Sequence, residues 1–198
     1  MSRRVAVAFL LATLIVVLPA RADAAGTSSA SGTGGTSYSP KSSTRGGTAA
    51  QAQASETAPV PTATLDPASG LAVAPAGAPA EVVALIAAGN VIASTPYRYG
   101  GGHGSFDDTA YDCSGSVSYA LHGAGLLDET LDSTALAKWG LAGAGAWITI
   151  YANKTHTYLI VAGLRFDTSG AKKAGSRWQA APRSSKGFKV RHPAVAGL

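Results

Sequence analysis

Cysteine is nearly absent: the chain of 198 residues holds one, Cys113. A lone thiol excludes an intramolecular disulfide and a metal site built from several thiolates. It must be buried and inert, paired with another chain, or reactive. Large apolar side chains are scarce from Gly26 to Ala80, where Gly, Ser, Thr, Ala and Pro dominate. Such a stretch cannot bury enough surface to offset its ordering entropy. Residues 25–80 are therefore expected to form a disordered linker, flexible at first and stiffened by proline later. A plain tether is the expected role, with a binding tail as the alternative. Acidic residues are missing from Ala171 onward, where seven Lys and Arg face none; between Glu81 and Gly170 four bases face eight acids.

Long hydrophobic runs are confined to the start of the chain. "MSRR", then "VAVAFLLATLIVVLPA", then "RADAAG" follow the charged, apolar and small-residue order of a secretory signal. Residues 1–24 are read as a signal peptide cut after Ala22 or Ala24. A retained membrane anchor is the competing reading, but an apolar run of about 16 residues is short for a span. No cysteine follows the run, so the lipoprotein route is excluded. The expectation is a secreted or cell-envelope protein with no stable membrane anchor after cleavage. Outside the cell the basic C-terminal extension suits an anionic surface such as a cell wall or lipid headgroups, and nucleic acid is not an expected partner. A merely solvated charged end is the plainer reading. Trp178, Phe188 and Val190 are interleaved with the bases and are expected to pack on the domain.

Residues 81–198 remain for one small domain. "AEVVALIAAGNVIAS" puts Val82, Leu85, Ile86 and Ala93 on one stripe of a helix over about 81–93, although Gly89 on that stripe weakens it. Gly100 to Gly102 and Gly104 form a loop, after which "CSGSVSYALHGAG" predicts a second helix starting at about Cys113, with Gly123 and Gly125 as stop signals. "DETLDSTALAKWG" reads as a short helix or irregular stretch capped by Ser133. "AWITIYA", "HTYLIVAG" and "LRFDT" read as three antiparallel strands with a tight turn at Ala162 and Gly163. The fold class is α+β, with helices packed on one face of the sheet.

A thiol is nucleophilic as thiolate, and the unpaired N–H groups in a helix's first turn favour negative charge there. Backbone donors in the same turn can hold an oxyanion during acyl transfer. Cys113 is placed for both. Of four histidines, His122 lies nine residues along the same helix and faces away. His103 sits in the glycine loop, where it can line a cleft but is a weak choice of base. His192, in the C-terminal extension, suits capping or packing. His156 heads a strand. With the turn centred between Ala162 and Gly163, Tyr158 faces Asp167, which makes His156 the diagonal neighbour of Asp167, roughly 7 to 8 Å away between backbones. Cys113, His156 and Asp167 can therefore form a nucleophile, a base and an orienting group. A one-residue slip would send Thr168 to that face instead. The competing reading is a small buried Cys113 with His156 a satisfied sheet residue.

"TPYRYGG" followed by "YDCSGSVSYALHGAGL" resembles the amino-terminal signature of the NlpC/P60 family of cell-wall cysteine peptidases, and "HTYLIVAGLRFDTS" is similar to that family's histidine strand and hairpin. The resemblance spans about Tyr97 to Ser169. It implies a papain-like fold, Cys113 as nucleophile, His156 as base and a third polar residue at Asp167. It also implies that Tyr97 lines the site and that Asp112 and Ser114 help bind the peptide's free amine. The chain departs from the family where "GAGAWITIYANKT" replaces the usual "GDLVFF" strand and "HTYLI" replaces "HVGIY"; an acid at the third position still suits imidazole.

The function expected from this is hydrolysis of an amide in peptidoglycan stem peptides, at the bond from D-glutamate to the diamino acid, on sacculi or muropeptides, with no metal or organic cofactor. Two other readings stand beside it: a wall-binding module with a degenerate cleft, and an acyltransferase or amidase using the same thiol.

Overall fold

The computed structural model describes residues 60–198; residues 1–59, with the expected signal peptide over 1–24 and most of the expected linker, lie outside the described residues. Two helices, a further short helix or irregular stretch and a sheet were anticipated, and the mixed α+β class holds. Helix α1 is Ala80–Val91, α2 is Cys113–Gly123 and α3 is the single turn Ser133–Leu136. The three expected strands are β4 (Ile148–Ala152), β5 (Thr157–Val161) and β6 (Leu164–Phe166). Their sheet is six-stranded and antiparallel throughout, because β3 (Leu141–Ala142), β7 (Trp178–Gln179) and β8 (Lys189–His192) join it in the order β3-β8-β4-β5-β6-β7. A one-turn helix, α4 (Ala171–Ala174), links β6 to β7. Among the described residues no helix is long and apolar enough to cross a membrane.

The β5–β6 hairpin has the anticipated register: Leu159 pairs with Phe166, Ile160 with Arg165 and Val161 with Leu164. Its two-residue turn needs positive φ, which Ala162 adopts at 45°. Alternation then divides the sheet. Ile148, Ile150, Leu159, Val161, Leu164 and Phe166 enter the buried core with Val82, Leu85, Val117 and Leu121 from the helices. The opposite face carries the stacked pair Tyr151 and Tyr158, 4.8 Å between ring centroids.

Three expectations need correction. The linker does not reach Ala80, because β1 (Thr64–Leu65) and β2 (Ala72–Val73) form a hairpin on the domain. Asp66 Oδ1 closes its turn by accepting from the N–H groups of Ala68 and Ser69, and the Asn90 side chain exchanges two hydrogen bonds with Ala72. Its buried residues, Ala63 and Ala72, are small, so composition alone read the segment as linker. The basic C-terminal segment is not an appendage either, since β8 lies between β3 and β4. Finally, α3 is capped by Asp132, whose carboxylate accepts from Ala135 N–H, rather than by Ser133.

Gly89 is in α1 for closeness, not flexibility. A Cβ there would stand 2.6 Å from Trp178 Cζ2 and 3.3 Å from Phe166 Cε2. Trp178 is 1% exposed and cannot retreat. Gly89→Ala should therefore destabilise the protein by about 1–2 kcal/mol, overpacking outweighing the ~1 kcal/mol gain in helix propensity. A denaturant midpoint equal to or above that of the parent would contradict this account.

Candidate active site

The site is built around the mouth of α2. Asp112 caps the helix: its Oδ1 accepts from Gly115 N–H at 2.8 Å while its main-chain oxygen accepts from Ser116 N–H at 3.0 Å. The first bond satisfies one orphan donor of the first turn, and the second is the first regular bond of the helix. The N–H groups of Cys113 and Ser114 stay without a partner among the described residues. Gly115 is required because the glycine loop presses on the helix: a Cβ there would lie 2.0 Å from the Gly101 carbonyl oxygen. Cys113, at the first helical position, is half-buried.

Arg177 holds this region from below. Its guanidinium donates to the carbonyls of Ile92, Thr95 and Tyr111 and to Ser116 Oγ. The loop bearing Tyr97 is thus tied to the helix bearing Cys113. Burial lowers the Arg177 pKa to about 10, which leaves it charged at neutral pH. Composition placed Arg177 in a solvated basic tail; it is an interior cation.

His156 lies just before β5, and its Nε2 is 2.8 Å from Asp167 Oδ1. The hairpin brings them together as its register requires. Asp167 has no exposed side-chain surface, and it also accepts from Ser169 N–H at 2.8 Å and from Arg183 Nη1 at 2.8 Å. Burial pushes the Asp167 pKa up, but the hydrogen bonds from His156 and Ser169 and the nearby charges of His156 and Arg183 bring it below the usual range. Burial likewise opposes charge on His156; the hydrogen bond to Asp167 and then the neighbouring Cys113 thiol overcome it and raise its pKa to about 9. Cys113 and His156 are close neighbours rather than partners in a fully formed hydrogen bond, since the ring bond of good geometry goes to Asp167. That bond uses Nε2 and leaves Nδ1 as the nitrogen available to the thiol. Catalytic contacts of this kind commonly tighten only when substrate is bound.

Tyr97, Asp112, Cys113 and Ser114 line one cleft of about 360 Å³. Tyr97 is 59% exposed. It also lines a second hollow of about 340 Å³, shared with Thr168, Lys172 and Arg177. His103, expected in the glycine loop and able to line a cleft, lines this one, whereas the places of Arg183 and Phe188 at the site escaped the sequence reading. His103 reaches Asp112 and Ser114 from the glycine loop, both at 3.0 Å. Arg183 and Phe188 come from the supposed tail: the guanidinium sits 5.3 Å from the Tyr158 ring centre, and Phe188 stands edge-on to both Tyr158 and His156. The aromatic residues among the bases were the available signal, but only pairing of β8 fixes where they land. His122 is exposed and stacks on Phe106, while His192 Nδ1 meets Gly143 O at 3.1 Å; neither approaches Cys113. Among the described residues no group of three or more His, Cys, Asp or Glu is arranged to hold a metal.

Fold and site together define a mixed α+β protein in which Cys113 lines a cleft and neighbours His156, whose ring is held by the buried Asp167 carboxylate. The chain matches no family model, no curated protein and no solved structure.

The raised His156 pKa has a consequence for stability. An imidazole that binds its proton more tightly when folded stabilises the native state fully below about pH 6.5, and this contribution is lost as pH rises through about 9. Denaturant titrations across that window should show stability falling with pH, with a shallower fall in Asp167→Asn. An unchanged slope in the variant would show that Asp167 does not hold the proton on His156.

Proposed function

We propose that this protein is an exported cysteine peptidase of papain-like, NlpC/P60 type that hydrolyses an amide in peptidoglycan stem peptides, at the D-glutamyl to diamino acid bond. The observation that carries this reading is the half-buried Cys113 at a helix mouth beside an imidazole held by a fully buried carboxylate. The wall substrate comes from the resemblance of the segment Tyr97 to Ser169, and export from the pattern of the first 24 residues.

In this mechanism the Cys113 thiolate attacks the amide carbonyl carbon. The resulting oxyanion is held by the Cys113 and Ser114 N–H groups. His156, protonated through the neutral range, gives its proton to the departing amine as the C–N bond breaks, leaving a thioester. Neutral His156 then takes a proton from water, whose oxygen attacks the thioester, and the acid product leaves as the thiolate and imidazolium re-form. Asp167 keeps the ring oriented and stabilises its charged form. Arg183, on the other carboxylate oxygen, keeps Asp167 ionised and fixed. Tyr97 lines hollows on both of its sides, which gives a chain laid over the nucleophile room to continue, as an endopeptidase needs. The exposed Lys172, Lys173, Lys186 and Lys189 supply attraction to an anionic envelope, without Arg177 and Arg183, which are engaged internally.

Purified protein should release fragments from muropeptides, and Cys113→Ala should abolish this while keeping the fold; retained cleavage by that variant would end the assignment. Binding of sacculi without release by the parent would favour a wall-binding module, and transfer to added amines an acyltransferase. Arg183→Gln should lower kcat by about tenfold or more, with part of the loss recovered in Arg183→Lys. Full activity in Arg183→Gln would remove the C-terminal segment from the catalytic machinery.

A further inference from the structure

The second hollow beside Tyr97 shares only that residue with the cleft of Cys113, and it differs from the cleft in charge. Asp112 and Asp132 line the cleft, whereas the hollow, about 340 Å³ in volume, has Lys172 and Arg177 among its lining residues and no acid. Its walls carry charge of one sign.

A buried charge is ordinarily paired with an opposite one. Arg177 is 2% exposed, yet it belongs to none of the ion pairs among the described residues, and every partner of its guanidinium is neutral. Two of those partners, the carbonyl oxygens of Thr95 at 2.6 Å and Pro96 at 3.5 Å, belong to residues that line the hollow. An uncompensated cation therefore lies directly behind the wall, where protein screens it less than water would. Lys172 adds a second positive charge from the open side, being exposed and in no ion pair among the described residues. Thr95 and Thr168, which also line the hollow, carry hydroxyls that make no hydrogen bond among the described residues. The acid nearest along the chain, Asp167, is already balanced by His156 and Arg183. The hollow is chemically suited to an anion.

Its position decides which part of a ligand supplies that anion. Thr168 directly follows Asp167, and Tyr97 joins the hollow to the cleft, which places the hollow at the end of the site that holds His156 and Asp167. That end is where the departing amine takes its proton.

We propose that this hollow receives a carboxylate on the amine-side part of the substrate, with Lys172 as its ion-pair partner, the Thr95 and Thr168 hydroxyls as donors and Arg177 as the fixed charge behind them. This rests on the peptidase reading above and deepens it into a preference for substrates whose leaving portion is anionic. Converting that carboxylate to an amide would remove the charge while keeping the shape.

The test uses binding, so that it does not depend on turnover. Full-length Cys113→Ala protein is titrated calorimetrically with a synthetic stem peptide that ends at the diamino acid, as the free acid or as the amide. The acid should bind about tenfold more tightly. Adding Lys172→Ala should remove most of that difference by weakening the acid alone, and Lys172→Arg should keep it. Lys173→Ala, on the same helical turn but lining a different hollow, should leave both peptides unchanged. Equal affinity for the two forms, a preference that survives Lys172→Ala, or failure of both peptides to bind would each overturn the proposal. An equal loss in Lys173→Ala would overturn it too, by showing diffuse attraction in place of a site. Parent protein that cleaves acid and amide equally well, with no difference in binding, would keep the peptidase reading without this inference; Lys172-dependent binding of the acid by a protein whose parent cleaves neither peptide would keep the site and remove the peptidase reading.

Discussion

A buried carboxylate can stay ionised only when hydrogen bonds and opposite charge replace the water it has lost, and Asp167 is such a group. Its partners come from three stretches of chain: His156 ahead of β5, Ser169 beyond β6, and Arg183 in the C-terminal segment. The orientation of the imidazole, the shape of the loop after β6 and the path of the last twenty residues are consequently set by one side chain. Arg183 then leans on Tyr158 and Phe188, and Phe188 closes the edge of His156. The cover over the polar-aromatic face of the sheet is tied to the same carboxylate that keeps His156 in place.

The surroundings of Cys113 are secured by a second pair of buried charges of opposite sign. Asp112 pulls the glycine loop against the first turn of α2 from one side, and Arg177 ties the preceding loop and Ser116 to it from the other. Neither charge pairs directly with the other; Arg177 is satisfied mainly by backbone carbonyls and Asp112 by two backbone N–H groups together with Ser114 and His103, which suits a role in fixing main-chain geometry. The backbone around Cys113 is thereby held while its thiol stays reachable. Stiff support and a half-open side chain are what preorganised chemistry requires.

Much of this is legible in the amino-acid sequence. The run "CSGSVSYALHGAG" marks a helix start at Cys113, and α2 begins there, with Asp112 as the cap that the structure adds. The hairpin register followed from one tight turn, and with it the meeting of His156 and Asp167. Less visible were elements whose stability comes from partners. In "FKVRH" the strand signal is masked by charge, and it becomes β8 because β3 and β4 both offer edges to it. The hairpin of β1 and β2 buries only small residues and depends on Asn90 and on a bond from Ala63 N–H to the Ala162 carbonyl. Gly89 looked like a weak point in α1 and is instead the hollow that receives Trp178.

The sequence by itself determined the local features: where α2 begins, which residues alternate along β4 to β6, and the hairpin register that brings His156 to Asp167. These depend on neighbours within a few residues, through capping, period and turn geometry. Only the tertiary structure decided that Arg177 is interior, that Arg183 meets Asp167, and that His103 bonds to Asp112 and Ser114. Each of those outcomes pairs groups distant along the chain or held in an irregular loop, and a charge reveals whether it is solvated or engaged only when the rest of the chain has taken its place.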